Sequence, residues 1–180
     1  MSRLDHPAVR RVQAALRERG SRAEVIELET TARTAADAAR SLGVAVGAIV
    51  KSLLFTIDGD PVMALVAGDR RCDTRALPAA FGRNGLVLRA DAERVRAVTG
   101  FVIGGVAPLG HPRPLPTAID DSLGRFETVY AAAGHPHCVF PTTMLELSLL
   151  TGGAVVKDLS SARLDAAPPD RTGADGNGAK

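Results

Sequence analysis

The sequence predicts a single α/β domain, and three observations carry that prediction. An amphipathic helical stripe opens the chain, an apolar hairpin pattern lies near its middle, and a short apolar run ends in the paired glycines Gly104 and Gly105. The 180 residues fit one domain, and a hydrophobic content of 46% supplies its core. That core is aliphatic, because aromatics are only 3% and Trp is absent.

The elements follow in order. Val9, Val12 and Leu16 form one helical face opposite Arg10, Arg11, Arg17, Glu18 and Arg19, and Gly20 stops the helix that His6-Pro7 starts. Residues 23–28 alternate as a short strand. Thr34 is placed to cap a helix over 35–42, with Asp37 in the first turn where the helix dipole favours a carboxylate. Residues 48–57 (AIVKSLLFTI) give the strongest strand pattern, broken by Lys51. The turn Asp58-Gly59-Asp60 and the apolar run 61–67 complete a β-hairpin. Residues 68–75 (GDRRCDTR) predict a polar loop leading into a helix over 73–81. A strand over 86–88 and a helix from Asp91 to Val98 follow, stopped by Gly100.

Phe101, Val102 and Ile103 then predict a buried strand running into a loop stiffened by Pro108, Pro112, Pro114 and Pro116. Beyond the loop come strands over 118–121 and 125–132, an extended pair at 139–140, a helix over 144–150 and a last strand at 154–156. From Ala166 the composition of Pro, Asp, Gly and Ala predicts disorder, so the domain is assigned to 1–165 and a tail to 166–180.

Charge and motifs exclude several functions. Against 20 acidic residues stand 22 basic ones, a net +2, which makes no strong field for nucleic acid. No apolar run approaches ~18 residues and no apolar leader opens the chain, so a cytoplasmic protein without membrane association is expected. Cys72 and Cys138 are neither a CxxC pair nor a secreted disulfide framework. His135, His137 and Cys138 form a partial zinc set that nothing nearby completes, so no metal is expected. There is no Gly-x-Ser-x-Gly nucleophile turn. No Gly-Lys-Ser/Thr follows the glycines, and prolines stand where a dinucleotide-binding helix would start, so no cofactor is expected.

Three features keep two readings each. The glycine loop either presents backbone N–H groups to an oxygen atom or is a tight turn. Lys51 either faces a cavity, since a cation in a buried strand is costly unless paired, or reaches solvent along its stem. Arg70, Arg71 and Arg75 likewise form a phosphate-binding patch or a solvated helix start.

Taken together, Ile49-Val-Lys51-Ser52-Leu-Leu-Phe55, the Thr99-to-Gly110 loop with Gly104-Gly105-x-x-Pro108-x-Gly110, the Leu115-Pro-Thr-x-Ile-Asp120 continuation and Tyr130-x-x-x-Gly134-His135 resemble the YbaK/EbsC family. That family is similar to the editing domain inserted in bacterial prolyl-tRNA synthetases. The resemblance spans residues 8–160 and implies a strongly curved, partly closed mixed sheet of six or seven strands with helices around it. It implies hydrolysis of mischarged aminoacyl-tRNA carrying a small amino acid, of the Cys-tRNA(Pro) or Ala-tRNA(Pro) type. It also implies a catalytic set of Lys51, Gly104, Gly105 and His135. Thr34, Ser52, Pro108, Gly110, Asp120, Gly134, His137 and Cys138 would contact substrate, with Arg70, Arg71 and Arg75 on tRNA phosphates. The acceptor end of tRNA is then the partner, with a synthetase or elongation factor as a further candidate; a non-catalytic tRNA-binding module is the alternative. The chain departs from the family where an acidic residue is usual shortly after Gly134; His137-Cys138-Val139-Phe140 stands there instead.

Overall fold

Side-chain caps set the helix starts. In the computed structural model, which describes residues 2–162, His6 caps α1 (Pro7–Glu18), and Thr34 with Asp37 closes a reciprocal capping box on α2 (Ala35–Leu42). Asp91 caps α4 (Ala92–Thr99) and Thr143 caps α5 (Met144–Thr151). Between α2 and α4 lies the short α3 (Leu77–Ala80). The predicted tail, 166–180, lies outside the described residues.

The strands are β1 (Ile26–Glu27), β2 (Ile49–Ile57), β3 (Asp60–Ala67), β4 (Arg70–Cys72), β5 (Val87–Arg89), β6 (Thr117–Asp120), β7 (Val129–His135), β8 (Cys138–Thr142), β9 (Ala154–Val156) and β10 (Ser160–Ala162). Eight of them form one mixed sheet in the order β1-β8-β7-β2-β3-β6-β9, with β5 also on β2. That is more than the six or seven expected. The pairing path ends at β1 and β9, so among the described residues no ladder closes it into a barrel. The β2–β3 hairpin turns on Asp58 (φ 50°) and Gly59 (φ 89°), the double left-handed geometry that matches strand twist.

β3 is the centre: Val62 to Ala67 are fully buried, as a strand covered on both faces must be. Alternation sends the side chains of β2 into two layers. Val50 and Leu54 join a core with Val9, Val12, Leu16, Phe101 and Phe140. Phe55 and Ile57 join a second core with Val62, Leu77 and Leu159. Lys51 therefore projects on the second face and Ser52 on the first.

Three local expectations are corrected. Residues 101–103 are not a strand: Gly100 (φ 73°) turns the chain off α4, Phe101 is buried, and Val102 and Ile103 are 48% and 62% exposed. Residues 70–72 are a strand rather than a loop, because they pair antiparallel with β10 through Ser160↔Cys72 and Ala162↔Arg70. The helix expected over 73–81 shrinks to the four residues of α3.

Candidate functional site

The sheet is split beside β2, and the split opens into a cavity. β7 runs parallel to β2 only at Ile49↔Tyr130 and Val50↔Ala131, and just beyond, its pairing with β8 is irregular between Ala132 and His135. β5 meets the same edge only from Phe55 onward. A cavity of about 680 Å³ fills the space, lined by β2 from Ile49 to Phe55, the start of α2, Arg71 to Thr74 in part, and Ile103, Gly104 and Val106. Its far wall is Tyr130, Ala132, Pro136, Cys138 and Val139.

Lys51 is half-buried on this wall, and its ammonium donates to the Arg70 carbonyl on β4. The Arg70 guanidinium points away from the cavity. Its Nε donates to Ser160 Oγ at 2.7 Å and its Nη2 to the Ser160 carbonyl at 3.0 Å. Ser160 in turn donates to the buried Asp120 carboxylate at 2.6 Å, as does Ser122. One hydrogen-bonded chain thus runs from the cavity lysine through β4 and β10 to the end of β6.

Of the residues expected to contact substrate, Thr34, Lys51, Ser52, Arg71, Gly104 and Cys138 border the cavity together. The others are placed elsewhere. The Gly105 N–H donates to the Val102 carbonyl at 3.0 Å, closing a turn, and a Cβ at Gly105 would stand 2.8 Å from the His135 nitrogen. Gly105 therefore packs the loop against the β7–β8 turn. Gly134 (φ 87°) does the same for α1, where a Cβ would meet the Ala8 carbonyl oxygen at 2.8 Å. Pro108 is buried, and Gly110 lies over Arg11 and Val12 of α1. Asp120 is the buried anchor described above.

His135 and His137 lie outside the cavity wall. Nδ1 of His135 accepts from the His137 N–H at 3.1 Å, and its ring lies 5.3 Å from His6 and 5.6 Å from His137. Burial and then the neighbouring His6 and His137 hold His135 below its ordinary pKa. The His137 ring sits 3.3 Å from the Leu28 carbonyl. Arg75 bonds Asp73 through Nε and Nη2, both at 3.0 Å.

The cavity carries one sign of charge. Arg33, Lys51, Arg71 and Arg89 line it, and among the described residues no carboxylate or imidazole does. The N-terminus of α2 adds its positive dipole end at Thr34 and Ala35. Sequence reasoning missed Arg33 and Arg89; each belongs to a segment next to a recognised cap or strand, but only the fold brings them to one opening. Burial pushes both cavity thiols, Cys72 and Cys138, up to about 11, so they are protonated near neutral pH and poor nucleophiles. The arrangement can therefore hold an anionic, partly apolar ligand and orient it against backbone.

Known proteins share this fold and sequence. The model for the aminoacyl-tRNA editing domain matches residues 29–149. YwhH of Bacillus subtilis (strain 168), a protein without an assigned activity, is 37% identical over 126 residues, which are 69% of this chain and 79% of that one. A protein of Enterococcus faecalis with the provisional name Cys-tRNA(Pro)/Cys-tRNA(Cys) deacylase EbsC is 30% identical over 102 residues, 56% of this chain and 62% of that one. A crystal structure provisionally described as a trans-editing enzyme for prolyl tRNA synthetase superposes with a TM-score of 0.78 at 43% identity, covering 84% of this chain and 96% of the other. With that model matched over two thirds of its sequence and its fold shared with the solved neighbour, the chain belongs to the aminoacyl-tRNA editing domain family.

Proposed function

We propose that this chain is a trans-acting deacylase that hydrolyses the ester of tRNA mischarged with a small amino acid, of the Cys-tRNA(Pro) or Ala-tRNA(Pro) type. The observation that carries the reading is the cavity itself: among the described residues, four cations and no carboxylate surround an opening that Lys51 and Gly104 share. Its 680 Å³ falls within the range of small-molecule sites, about 300–1,000 Å³, so a terminal adenosine with a small acyl group fits it.

The chemistry asks little of protein side chains. An aminoacyl ester is already activated, so placing a water and stabilising the developing oxyanion supply most of what is needed. Among the lining residues no carboxylate or imidazole can serve as base. The proton of the attacking water is relayed, through solvent or the neighbouring ribose hydroxyl, to the ribose oxygen that leaves as the ester bond breaks. Lys51, fixed by the Arg70 carbonyl, orients a phosphate or ribose oxygen. Arg33, Arg71 and Arg89 surround the same opening and meet the acceptor-end backbone. Small amino acids are admitted by cavity size, which discriminates one methylene by only about 1–3 kcal/mol, so the tRNA contributes to selection.

The test is deacylation of a panel of Ala-, Cys-, Ser-, Thr- and Pro-charged tRNAs by the purified protein. Release of at least one small amino acid is expected, with Lys51→Ala lowering the rate by 100-fold or more, taking about 3 kcal/mol as the scale of a lost transition-state contact. Full activity in Lys51→Ala removes the mechanism. Tight tRNA binding with no release of any amino acid favours a non-catalytic tRNA-binding module instead.

A further inference from the structure

The cavity edge of β2 carries one residue whose backbone no strand takes up. Odd-numbered residues of β2 bond to β3: Ile57 and Asp60 flank the tight turn, and the Gly68 N–H donates to the Ile49 carbonyl at 2.8 Å. Alternation points the N–H and C=O of Val50, Ser52, Leu54 and Thr56 to the opposite edge. There Val50 is in register with Ala131 of β7, Thr56 with Leu88 of β5, and the Leu54 carbonyl accepts from the Ala90 N–H at 3.1 Å. Among the described residues no strand lies beside Ser52 on this edge.

Ser52 lines the cavity and keeps part of its surface open, yet its hydroxyl oxygen is buried and makes no hydrogen bond among the described residues. What the residue presents to the cavity is therefore its backbone edge. The Gly105 amide, by contrast, is already committed to the Val102 carbonyl.

An N–H and a C=O from one strand residue, aimed the same way, fit a partner residue with a nitrogen donor and a carbonyl acceptor. An aminoacyl ester is such a residue. We infer that Ser52 takes the aminoacyl group as a single added strand residue, its C=O accepting from the α-ammonium and its N–H donating to the ester carbonyl oxygen. The inference rests on the deacylase reading and deepens it. The Ser52 N–H then sits where negative charge grows as water adds to the carbonyl. In a paired strand the amino acid's side chain falls on the Ser52 face of the sheet, where Val95, Val106 and Cys138 line the cavity. That wall favours a small, uncharged side chain. Lys51 projects on the other face, toward the nucleotide.

The experiment replaces Ser52 in the full-length protein by glyceric acid, the α-hydroxy analogue of serine. This turns the N–H into an ester oxygen and keeps the side chain. Single-turnover hydrolysis of the mischarged tRNA that the wild-type protein cleaves best should fall about 100-fold, the scale of one lost oxyanion donor, with the thermal midpoint unchanged. The same exchange at Leu53, whose N–H faces β3, should lower the midpoint. A second arm uses only the wild-type protein and compares alanyl- with propionyl-tRNA, each rate divided by that ester's spontaneous hydrolysis. Loss of the α-ammonium should raise KM at least tenfold. Equal use of the two esters, or a wild-type rate in a folded Ser52 exchange, overturns the inference and leaves the deacylase reading standing. Failure of the wild-type protein on every charged tRNA overturns both.

Discussion

Ser160 is 7% exposed, and its hydroxyl joins the Arg70 guanidinium to the Asp120 carboxylate, itself 1% exposed. Replacing it by Ala leaves a buried carboxylate one donor short and takes the acceptor of Arg70 Nε, while the bond from Nη2 to the residue 160 carbonyl stays. Ser160→Ala should lower unfolding free energy by about 1–3 kcal/mol in urea titration, the cost of unmet buried polar groups. Because Arg70 offers its carbonyl to Lys51, the same variant should also slow deacylation; an unchanged rate would separate this chain of bonds from the chemistry. Lys51 itself could be singled out from its residue type in an apolar run. Its partner could not: Arg70 reads as one more member of a charged cluster, and nothing in GDRRCDTR says that one arginine turns inward while Arg71 borders the cavity.

Elements were legible where the governing interaction is local. Thr34 with Asp37, Asp91 and Thr143 each cap a helix within four residues, and Asp58-Gly59 fixes the hairpin register in two. Legibility failed where the partner is distant in sequence. β4 is polar and three residues long, and it is a strand only because β10 lies alongside it, about ninety residues later. Residues 101–103 failed differently: three apolar residues cannot tell a strand from a turn, and here only Phe101 goes inward. The loop they open is seated by contact with the β7–β8 turn at Gly105. In Gly105→Ala the new methyl would stand 2.8 Å from the His135 backbone nitrogen, so loop or turn must give way. A loss of about 1–3 kcal/mol is expected, as for overpacked sites. Gly104 should move with it, so that thermal melting and deacylation fall together.

For the whole molecule, acid is the condition that loosens the packing of the long loop on α1. His111 is held below its ordinary 6.5 chiefly by burial, with Arg11 and Arg19 adding to this against the Ala107 carbonyl, 2.8 Å from Nε2. The unfolded chain binds that proton more readily, so stability rises with pH across this range. What the neutral ring contributes is whole above about pH 6.5 and is lost as pH falls toward the depressed folded value. Denaturant midpoints at pH 7.5 and 5.5 should differ more in the wild-type chain than in His111→Asn, with the remaining ionisable groups common to both. The same scale shows why the fold was readable and the site only in part. Helices and the hairpin follow from neighbours, whereas the cavity exists because β7 and β5 part company along β2. That parting gathers Arg33, Arg71 and Arg89 from segments with no common motif.

The pairing of β10 with β4 also sets an order of events during synthesis. A growing chain can complete β2 and β3, with Lys51 in place, long before residue 160 leaves the ribosome. Until then Arg70 has no serine to hold it, and the amine has a backbone ledge that is still loose. If Lys51 acts as proposed, its support is complete only once β10 has paired with β4, and a nascent fragment ending before Ser160 would carry the hollow without that support.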